Sequence, residues 1–420
     1  MAREMKNSGI SWVGMIPNNW IEHPLGTYFS ERIHPNSLNQ ETNLLSLSYG
    51  KIVRKNINSV GGLLPASYAG YNIIEADDIV IRPTDLQNDK KSLRTGLSKE
   101  HGIVTSAYIT LKPNKDTYSP YFHYLLHSYD IAKAFYNMGN GVRQGMNYSE
   151  LKKLLLIEPP LDEQRAIAAF LDTKCAEIDG LLTDLDAEVK NLAEYKKSII
   201  AETVTRGLNP SAPMKQSNIP WVGEMPSHWE IDKGKYRFEL RRTKGNPRNL
   251  ELMSPTQKYG VIPQSQLEGV VLVKEKTDLN TFRTIRVGDF CISLRSFQGG
   301  FEYSKYEGVV SPAYQVFYPI KPIVDGYFKY MFKSDGFISY INTFSMSLRD
   351  GKNIAFEDFG NSNIPIPPIE EQTAIADYLD EKCSAIEQSI EDKNTQIETL
   401  KAYKSSLIYE YVTGKKQVAL

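Results

Sequence analysis

The stretch PPLDEQRAIAAFLDTKCAEID at residues 159–179 returns as PPIEEQTAIADYLDEKCSAIE at residues 367–387. A second pair, SGISWVGMIPNNW at 8–20 and SNIPWVGEMPSHW at 217–229, recurs at nearly the same offset and contains all four tryptophans of the chain. Two long matches at one offset do not arise by chance, and an internal repeat decides the architecture before any single motif does. The chain is therefore an internal duplication.

The segments between these matched stretches, about 21–158 and 230–366, agree only faintly. GIVTSAYITLKP at 102–113 is echoed by GVVSPAYQVFYP at 308–319, and YFHYLLHS is echoed by YFKYMFKS. In both segments short β-rich runs alternate with Gly, Pro and Asn turns, which predicts an α+β fold. Two similar folds with different surfaces, set in nearly identical frames, indicate one scaffold that presents two different binding faces.

The matched stretches that follow each proline pair have the pattern of long helices. An acidic first turn follows the prolines, and the first copy then continues to Thr205 with no proline and a single glycine, Gly180. Apolar residues recur at alternating steps of three and four, which is typical of a coiled coil of about five heptads. At 1.5 Å per residue each helix is roughly 65 Å long, and each is the natural partner of the other. Lysines interrupt the apolar seam at Lys196, Lys393 and Lys404, and the seam itself comprises Leu171, Cys175, Ile178, Leu182, Leu185, Val189, Leu192 and Ile199, then Leu379, Cys383, Ile386, Ile390, Ile397, Leu400 and Leu407.

These patterns predict an α+β protein with two tandemly repeated globular domains that are joined by two long helices. The helices are expected to form an antiparallel coiled coil and to relate the two halves by a pseudo-two-fold axis. The predicted boundaries are 1–158 for the first globular domain, 159–208 for the first long helix, 209–366 for the second globular domain and 367–420 for the second long helix.

Charge separates the helices from the rest of the chain. The whole sequence has a formal charge of −1, but segments 161–208 and 369–413 each hold 10 acidic residues against 6 and 4 basic ones. The remainder of the chain holds 39 basic and 30 acidic residues. A basic part joined to an acidic part suits a protein with two kinds of partner, although solvated acidic helix faces would give the same counts.

Composition limits the class of protein. Hydrophobic residues are 41% and charged residues 24%, which is typical of a folded soluble chain. No run approaches the roughly 18 apolar residues of a membrane span, and the N-terminal residues lack the apolar run of a secretory signal. Cys175, Cys291 and Cys383 form an odd, scattered set, which argues against a disulfide framework and for a reducing compartment. We therefore expect a cytoplasmic protein that does not contact a membrane.

The sequence lacks the motifs of the catalysts that act on nucleic acids. It has no G-x-x-x-x-G-K-[ST] loop for ATP and no N-P-P-[YF] sequence. His123 and His127 have the spacing of a zinc-binding helix but lack the adjacent glutamate and a third ligand. We expect no catalytic residue, no metal site and no cofactor bound by this chain.

In its organisation and its paired motifs the chain resembles the specificity subunits of Type I restriction-modification enzymes. PPLDEQRAIAAFLD and PPIEEQTAIADYLD resemble the family's proline–Glu-Gln–Ile helix-start motif, and WVGMIPNNW and WVGEMPSHW resemble the motif that opens each domain. The resemblance covers nearly the whole chain. It implies a non-catalytic subunit that reads a bipartite target in double-stranded DNA, with one target recognition domain for each half-site.

The resemblance also implies partners. The helices would set the distance between the half-sites and dock two methyltransferase (modification) subunits, which bring S-adenosylmethionine. Motor-nuclease (restriction) subunits would complete the complex, so ATP and magnesium are likewise expected on partner subunits. The helix-start motif supplies four candidates for partner binding: Glu163, Gln164, Glu371 and Gln372.

Candidate DNA contacts are residues of the types that read base edges and hold phosphates. Two places in each copy combine these types in turn-like contexts. After a predicted strand they are Arg82, Thr84, Gln87, Lys90, Lys91 and Arg94 in the first copy and Arg295, Ser296 and Gln298 in the second. In the turn ahead of the long helix they are Arg143, Gln144 and Asn147 in the first copy and Arg349, Lys352 and Asn353 in the second.

Two other functions are open at this point. A two-headed scaffold that binds proteins or peptides would use the same repeated architecture, and an enzyme with an unrecognised active site is the second alternative. Salt separates the first alternative from a DNA reader, because phosphate binding weakens steeply as salt rises and binding in an apolar groove does not.

Overall fold

The computed structural model describes residues 3–57, 67–84, 86, 93–136, 138, 145–245, 250–267, 279–294, 296–344 and 354–418. The chain divides into two compact units. The first unit is Met1–Leu185 together with Thr395–Leu420, and the second unit is Asp186–Asn394. The strands of the first unit recur in the same order in the second, as the duplicated sequence predicts, whereas the described short helices differ in number between the units.

Short helices accompany two very long ones. Among the described residues, none of the helices combines the length and the apolar character that a membrane span requires. The helices are α1 (Leu25–Tyr28), α2 (Ser119–Ile131), α3 (Tyr148–Leu151), α4 (Leu161–Arg206), α5 (Gly234–Arg237), α6 (Ser296–Gly299), α7 (Asp325–Met331), α8 (Asp335–Asn342), α9 (Phe356–Asn361) and α10 (Ile369–Val412).

The strands are short and antiparallel. In the first unit they are β1 (Met5–Asn7), β2 (Met15–Pro17), β3 (Ile21–Pro24), β4 (Phe29–Glu31), β5 (Leu45–Ser48), β6 (Lys51–Arg54), β7 (Asn72–Ile74), β8 (Ile79–Ile81), β9 (Thr95–Leu97), β10 (Gly102–Val104), β11 (Ile109–Pro113) and β12 (Leu155–Glu158). In the second unit they are β13 (Met214–Gln216), β14 (Glu224–Pro226), β15 (Glu230–Lys233), β16 (Phe238–Leu240), β17 (Met253–Thr256), β18 (Gly260–Pro263), β19 (Arg283–Ile285), β20 (Phe290–Ile292), β21 (Glu302–Tyr303), β22 (Gly308–Val310), β23 (Gln315–Pro319) and β24 (Asn363–Ile366).

A four-stranded sheet forms the centre of each unit. Its strand order is β4-β11-β8-β9 in the first unit and β16-β23-β20-β21 in the second. Every residue of β8 and of β20 is buried, because apolar clusters cover both faces of these central strands. Two-stranded pairs surround the sheet in matching positions, with β5–β6 and β7–β10 in one unit corresponding to β17–β18 and β19–β22 in the other.

The first and last strands of each variable segment pair with each other. Ile21 is the register partner of Glu158 in the β3–β12 pair, and Glu230 is the register partner of Ile366 in the β15–β24 pair. The chain therefore enters and leaves each globular domain on neighbouring strands. A segment whose ends meet can be replaced by another of the same fold without moving the frame around it.

The two long helices begin where the proline pairs predict. The first starts at Leu161, and the Gln164 side chain donates from Nε2 to the Pro159 carbonyl oxygen at 2.9 Å. The second starts at Ile369, and Gln372 makes the same bond to Pro367 at 2.8 Å. The prolines end the preceding strand, and the glutamine side chain then fixes the direction in which the helix leaves it.

The long helices pair antiparallel within each unit. In the second unit Lys393 binds Glu188 and Lys196 binds Glu387, so a later position on one helix meets an earlier position on the other. In the first unit the Lys404 ammonium lies 2.6 Å from the Asp179 carboxylate. The lysines that interrupt the apolar seam are thus each paired with a carboxylate of the facing helix.

The apolar seam is confirmed by burial. Leu171 and Leu379 are fully buried, and Cys175 and Cys383 are buried beside them as unpaired thiols. Leu182 and Leu400 pack on the core of the first unit, and Leu192 and Ile390 pack on the core of the second. Burial of the seam does not test the boundaries predicted for the four segments, which stay predictions.

We expect the replacement Leu379→Ala to lower the free energy of unfolding by about 2–5 kcal/mol, because the shortened side chain leaves a cavity in the seam. Urea denaturation followed by circular dichroism measures the change. Tyr195→Ala is the matched control on the exposed face of the paired helix, and its effect should stay within about 0.5 kcal/mol. Equal effects of the two replacements would contradict the assignment of the seam.

Candidate nucleic-acid interface

The first predicted group of DNA contacts in the first unit lies in the turn after β8. Arg82 donates its backbone N–H to the Arg94 carbonyl oxygen at 2.9 Å, which continues the β8–β9 pairing by one residue. Thr84 follows in the same turn. Gln87, Lys90 and Lys91 lie outside the described residues.

Arg94 is a correction to the predicted set. Its side chain is only 1% exposed, so it offers no surface to DNA. The guanidinium donates to the Thr84 carbonyl oxygen, and the Arg94 backbone N–H donates to Asp130 Oδ2 at 2.6 Å. A buried arginine needs this kind of pairing, because an unpaired charge in the interior is costly. Its position assigns it to holding the turn, not to contacting a ligand.

The second predicted group in the first unit lies beside the first. Met146 donates its N–H to the Pro83 carbonyl oxygen at 3.0 Å, which places the turn before α3 next to the turn after β8. Asn147 is exposed and caps α3: its Oδ1 accepts from Glu150 N at 3.0 Å, and Glu150 Oε2 accepts from Asn147 N at 3.1 Å. Arg143 and Gln144 lie outside the described residues.

In the second unit the corresponding places also converge. Gln315 is the register partner of Ile292, the last residue of β20. Its side chain lies 3.4 Å from the Ile354 carbonyl oxygen and accepts from Phe356 N at 2.9 Å. The segment before α9 is thereby held at the end of β20, where the predicted contact group begins.

Ser296 is a second correction. It is 1% exposed, and its Oγ accepts from Ser293 N at 2.8 Å, so the hydroxyl shapes the turn after β20 from inside. Gln298 is exposed on α6. The remaining predicted contacts of this unit, Arg295, Arg349, Lys352 and Asn353, lie outside the described residues.

The four residues predicted to bind partners make bonds within the chain. Gln164 and Gln372 are buried, which is a correction, because a buried amide cannot face a partner. Gln372 also accepts from Val324 N at 2.9 Å. Glu163 accepts from Trp20 Nε1 at 2.9 Å, and Glu371 accepts from Trp229 Nε1 at the same distance.

Each carboxylate at a helix start has a second partner that differs between the units. In the first unit Arg3 donates from Nη2 to Glu163 Oε2 at 2.7 Å. In the second unit the His228 imidazole is bonded to Glu371. An acidic side chain is favoured in the first turn of a helix, because the helix dipole presents partial positive charge there. The motif glutamates therefore connect each helix start to the motif that opens each domain.

Matched tyrosines, which were not singled out as site residues, provide further links between domain and helix. The Tyr124 hydroxyl lies 2.8 Å from Asp172 Oδ1, and the Tyr330 hydroxyl lies 2.6 Å from Asp380 Oδ1. These tyrosines belong to the echo YFHY and YFKY in otherwise divergent segments. The sequence signal for this link between domain and helix was that both copies keep these tyrosines although neighbouring residues differ.

His123 and His127 lie on α2 with ring centroids 6.4 Å apart. Burial lowers the pKa of His123 to about 4 and that of His127 to about 3. Within the described ranges of the chain, no group of three or more His, Cys, Asp and Glu side chains has the spacing to hold a metal ion. The two imidazoles are partly buried groups of the first unit.

Taken together, the fold and the two turn pairs define a duplicated recognition protein: two related units that share two long helices and carry different polar turns at the same sheet position. The family described as the Type I restriction modification DNA specificity domain matches residues 94–191 and 230–399, and the chain belongs to this family. Its role is therefore DNA target recognition, and it is a non-catalytic component.

Relatives and solved structures agree with this assignment. The chain is 27% identical over 328 residues to the putative type I restriction enzyme MjaX specificity subunit of Methanocaldococcus jannaschii, covering 74% of this chain and 71% of the relative. It is 24% identical over 339 residues to the MjaVIII specificity subunit of the same organism, covering 76% and 75%.

Two solved structures share the fold. One belongs to a study of complex assembly and conformational transition of the type I R-M system; its TM-score is 0.67 at 16% identity, with 96% of this chain and 99% of that chain covered. The other is the HsdS subunit from Thermoanaerobacter tengcongensis, with a TM-score of 0.50 at 16% identity and coverage of 96% and 98%.

We expect acidification from pH 7 to pH 5 to destabilise the first unit. The unfolded chain protonates His123 and His127 below about pH 6.5, whereas the folded chain resists protonation down to about 4 and 3, so stability falls as pH falls through this window. In the second unit burial raises the pKa of Glu302 to about 7, so its contribution is present at low pH and is lost as pH rises through 7.

Hydrogen exchange of the two central sheets, corrected for intrinsic rates, measures both trends. The double replacement His123→Gln with His127→Gln should flatten the acid response of the first unit. Glu302→Gln is the matched variant for the second unit. An acid response that survives the histidine replacements would show that other groups cause it.

Proposed function

We propose that the chain reads a bipartite target in double-stranded DNA, one half-site with each unit, and directs methyltransferase and restriction subunits to that target. The observation that carries the proposal is the placement of the polar turns. In both units the turn after the central strand and the segment before the last short helix meet at one sheet position, and their residues differ between the units. Two units that share one scaffold but differ in their turn residues suit the recognition of two different half-sites.

The chemistry of these turns supports DNA as the ligand. Arg82, Thr84 and Asn147 in the first unit and Gln298 in the second are of the types that contact bases and phosphates. Of the predicted contacts outside the described residues, eight are Arg, Lys or Gln, and they extend this character. The chain outside the long helices also holds more basic than acidic residues, which favours approach to phosphates.

The exposed faces of the long helices are the proposed docking surface for the methyltransferase subunits. Tyr195 and Tyr403 occupy matched positions in the two copies and are 58% and 55% exposed. Leu161 and Ile369 are a second matched pair, exposed to nearly the same extent. Large side chains kept in both copies at exposed positions are not explained by packing within the chain. Two equal surfaces suit two copies of one partner.

Cofactors follow from this division of roles. S-adenosylmethionine belongs to the methyltransferase subunits, and ATP and magnesium belong to the restriction subunits. The chain contributes the position of the complex on DNA. Its own residues bind and orient, and the transfer of a methyl group occurs on the partners.

Exchange of one variable segment tests the proposal. We expect that replacing residues 21–158 with the matching segment of a relative will change one half of the methylated site and leave the other half and the gap unchanged. The cut points are register partners, and the bond between Trp20 and Glu163 lies outside the exchanged segment. Mapping of methylated sites in cells that express the chain with its methyltransferase subunit gives the result.

The control is the reciprocal exchange of residues 230–366, which should change the opposite half-site. An exchange that altered both half-sites would contradict the division of recognition between the units. Binding that does not weaken as salt rises would instead favour the protein- or peptide-binding scaffold.

A further inference from the structure

The same four-residue arrangement occurs once in each unit. The first node consists of Glu163, Trp20, Tyr121 and Val412. The second node consists of Glu371, Trp229, Tyr327 and Val204. The tryptophan and tyrosine of each node are buried, with exposures of at most 1%. These residues lie outside the turns proposed to contact DNA.

Each node connects the start of one long helix to the end of the other. In the first node Trp20 Nε1 donates to Glu163 near the start of α4 at 2.9 Å. The Tyr121 hydroxyl lies 3.0 Å from the carbonyl oxygen of Val412, the last residue of α10, and 3.2 Å from that of Ile157. The last carbonyl oxygens of a helix have no hydrogen-bond donor within the helix, and the Tyr121 hydroxyl supplies one.

The second node has the same geometry. Trp229 Nε1 donates to Glu371 near the start of α10 at 2.9 Å, and the Tyr327 hydroxyl donates to the Val204 carbonyl oxygen at 2.9 Å, in the last turn of α4. Both bonds recur in the two copies, so each variable segment keeps the tyrosine that binds the helix end although most of its other residues differ.

In each node the tryptophan ring also packs against the tyrosine ring, so the two hydrogen bonds are connected by a direct contact. The Trp20 and Tyr121 rings meet edge to face with centroids 6.4 Å apart at 90°, and Trp229 and Tyr327 meet at 6.4 Å and 88°. A globular domain that moved along or around the helices would break both bonds of its node, because a hydrogen bond tolerates a displacement of only a few tenths of an ångström.

The helix ends are shaped to fit the nodes. Gly414 follows α10 with φ +70, and a Cβ there would approach Trp20 to 3.0 Å. Gly207 follows α4 with φ +72, and a Cβ there would approach Trp229 to 3.2 Å. Glycine in the left-handed conformation is the usual residue after a helix end. At both positions the absence of a side chain also allows the tryptophan indole to lie against the end of the helix.

We propose that Trp20, Tyr121, Trp229 and Tyr327 are positioning residues that make the chain selective for the length of the gap between its two half-sites. The proposal rests on the function proposed above. One base pair more or less in the gap moves a half-site by about 3.4 Å and turns it by about 35°. A domain fixed by its node cannot follow that movement, whereas a domain with a weakened node can.

Binding to probes of three gap lengths tests the proposal. The complex of the chain with its methyltransferase subunits is titrated with duplexes that carry the native gap or one base pair more or fewer. For Trp20→Phe we expect the preference for the native gap to fall by up to about tenfold, as loss of a hydrogen bond to a charged group implies, with a much smaller change in affinity for the native-gap duplex.

Tyr121→Phe is the second variant, since it removes one hydroxyl and keeps the ring contact with Trp20. Tyr148→Phe is the matched control, because the Tyr148 hydroxyl donates at 2.7 Å to the Phe29 carbonyl oxygen within the globular domain. The control should keep the wild-type preference. A simple loss of stability would weaken binding to all three duplexes equally, and that result would overturn the positioning role.

The outcomes also separate this inference from the proposed function. Wild-type preference for one gap, retained in both folded variants, would overturn the inference alone. Absence of any gap preference in the wild-type complex would overturn both. Loss of the folded state in both variants, detected by thermal melting, would assign the nodes to folding and would likewise overturn the positioning role.

Discussion

The structure depends on how the ends of the long helices are satisfied. A helix leaves amide groups without partners at its start and carbonyl groups without partners at its end, and long helices on a protein surface need partners from elsewhere in the chain. Here the globular domains supply donors for carbonyl oxygens at the helix ends, and they also bind acidic side chains at the helix starts. Tyr121 and Tyr327 donate to carbonyl oxygens in the last turns, while Trp20 and Trp229 hold the glutamates of the first turns. Each domain is thereby bound to both helices.

This constraint explains which parts of the duplicated sequence are kept. The frame residues make bonds that are the same in both units, so a change in one of them would weaken the attachment of a domain to the helices. The variable segments start and finish as paired strands, so their ends keep the same place beside the frame. Under the proposed function, a change in one segment would give a new half-site while the rest of the molecule stays as it was.

Periodicity and repetition predicted most of the fold. Both helix starts, the antiparallel seam and the duplication follow from patterns that local physics determines. The site was harder to predict, since residue type does not report burial. Arg94 and Ser296 have the chemistry of DNA contacts but lie inside, and Gln164, predicted to bind a partner, bonds to Pro159. Tertiary packing decides such cases, whereas the links between domain and helix left a signal in the sequence: the repeated tryptophans and glutamates and the echoed tyrosines.

The claim that the long helices set the distance between half-sites can be tested by lengthening both of them. One heptad inserted after Leu185 and another after Asn394 keeps the seam in register and adds roughly 10 Å to each helix. With base pairs about 3.4 Å apart, methylation mapping should show the same half-site sequences with a gap longer by up to about three base pairs. An unchanged gap with full activity would show that something other than these helices sets the spacing.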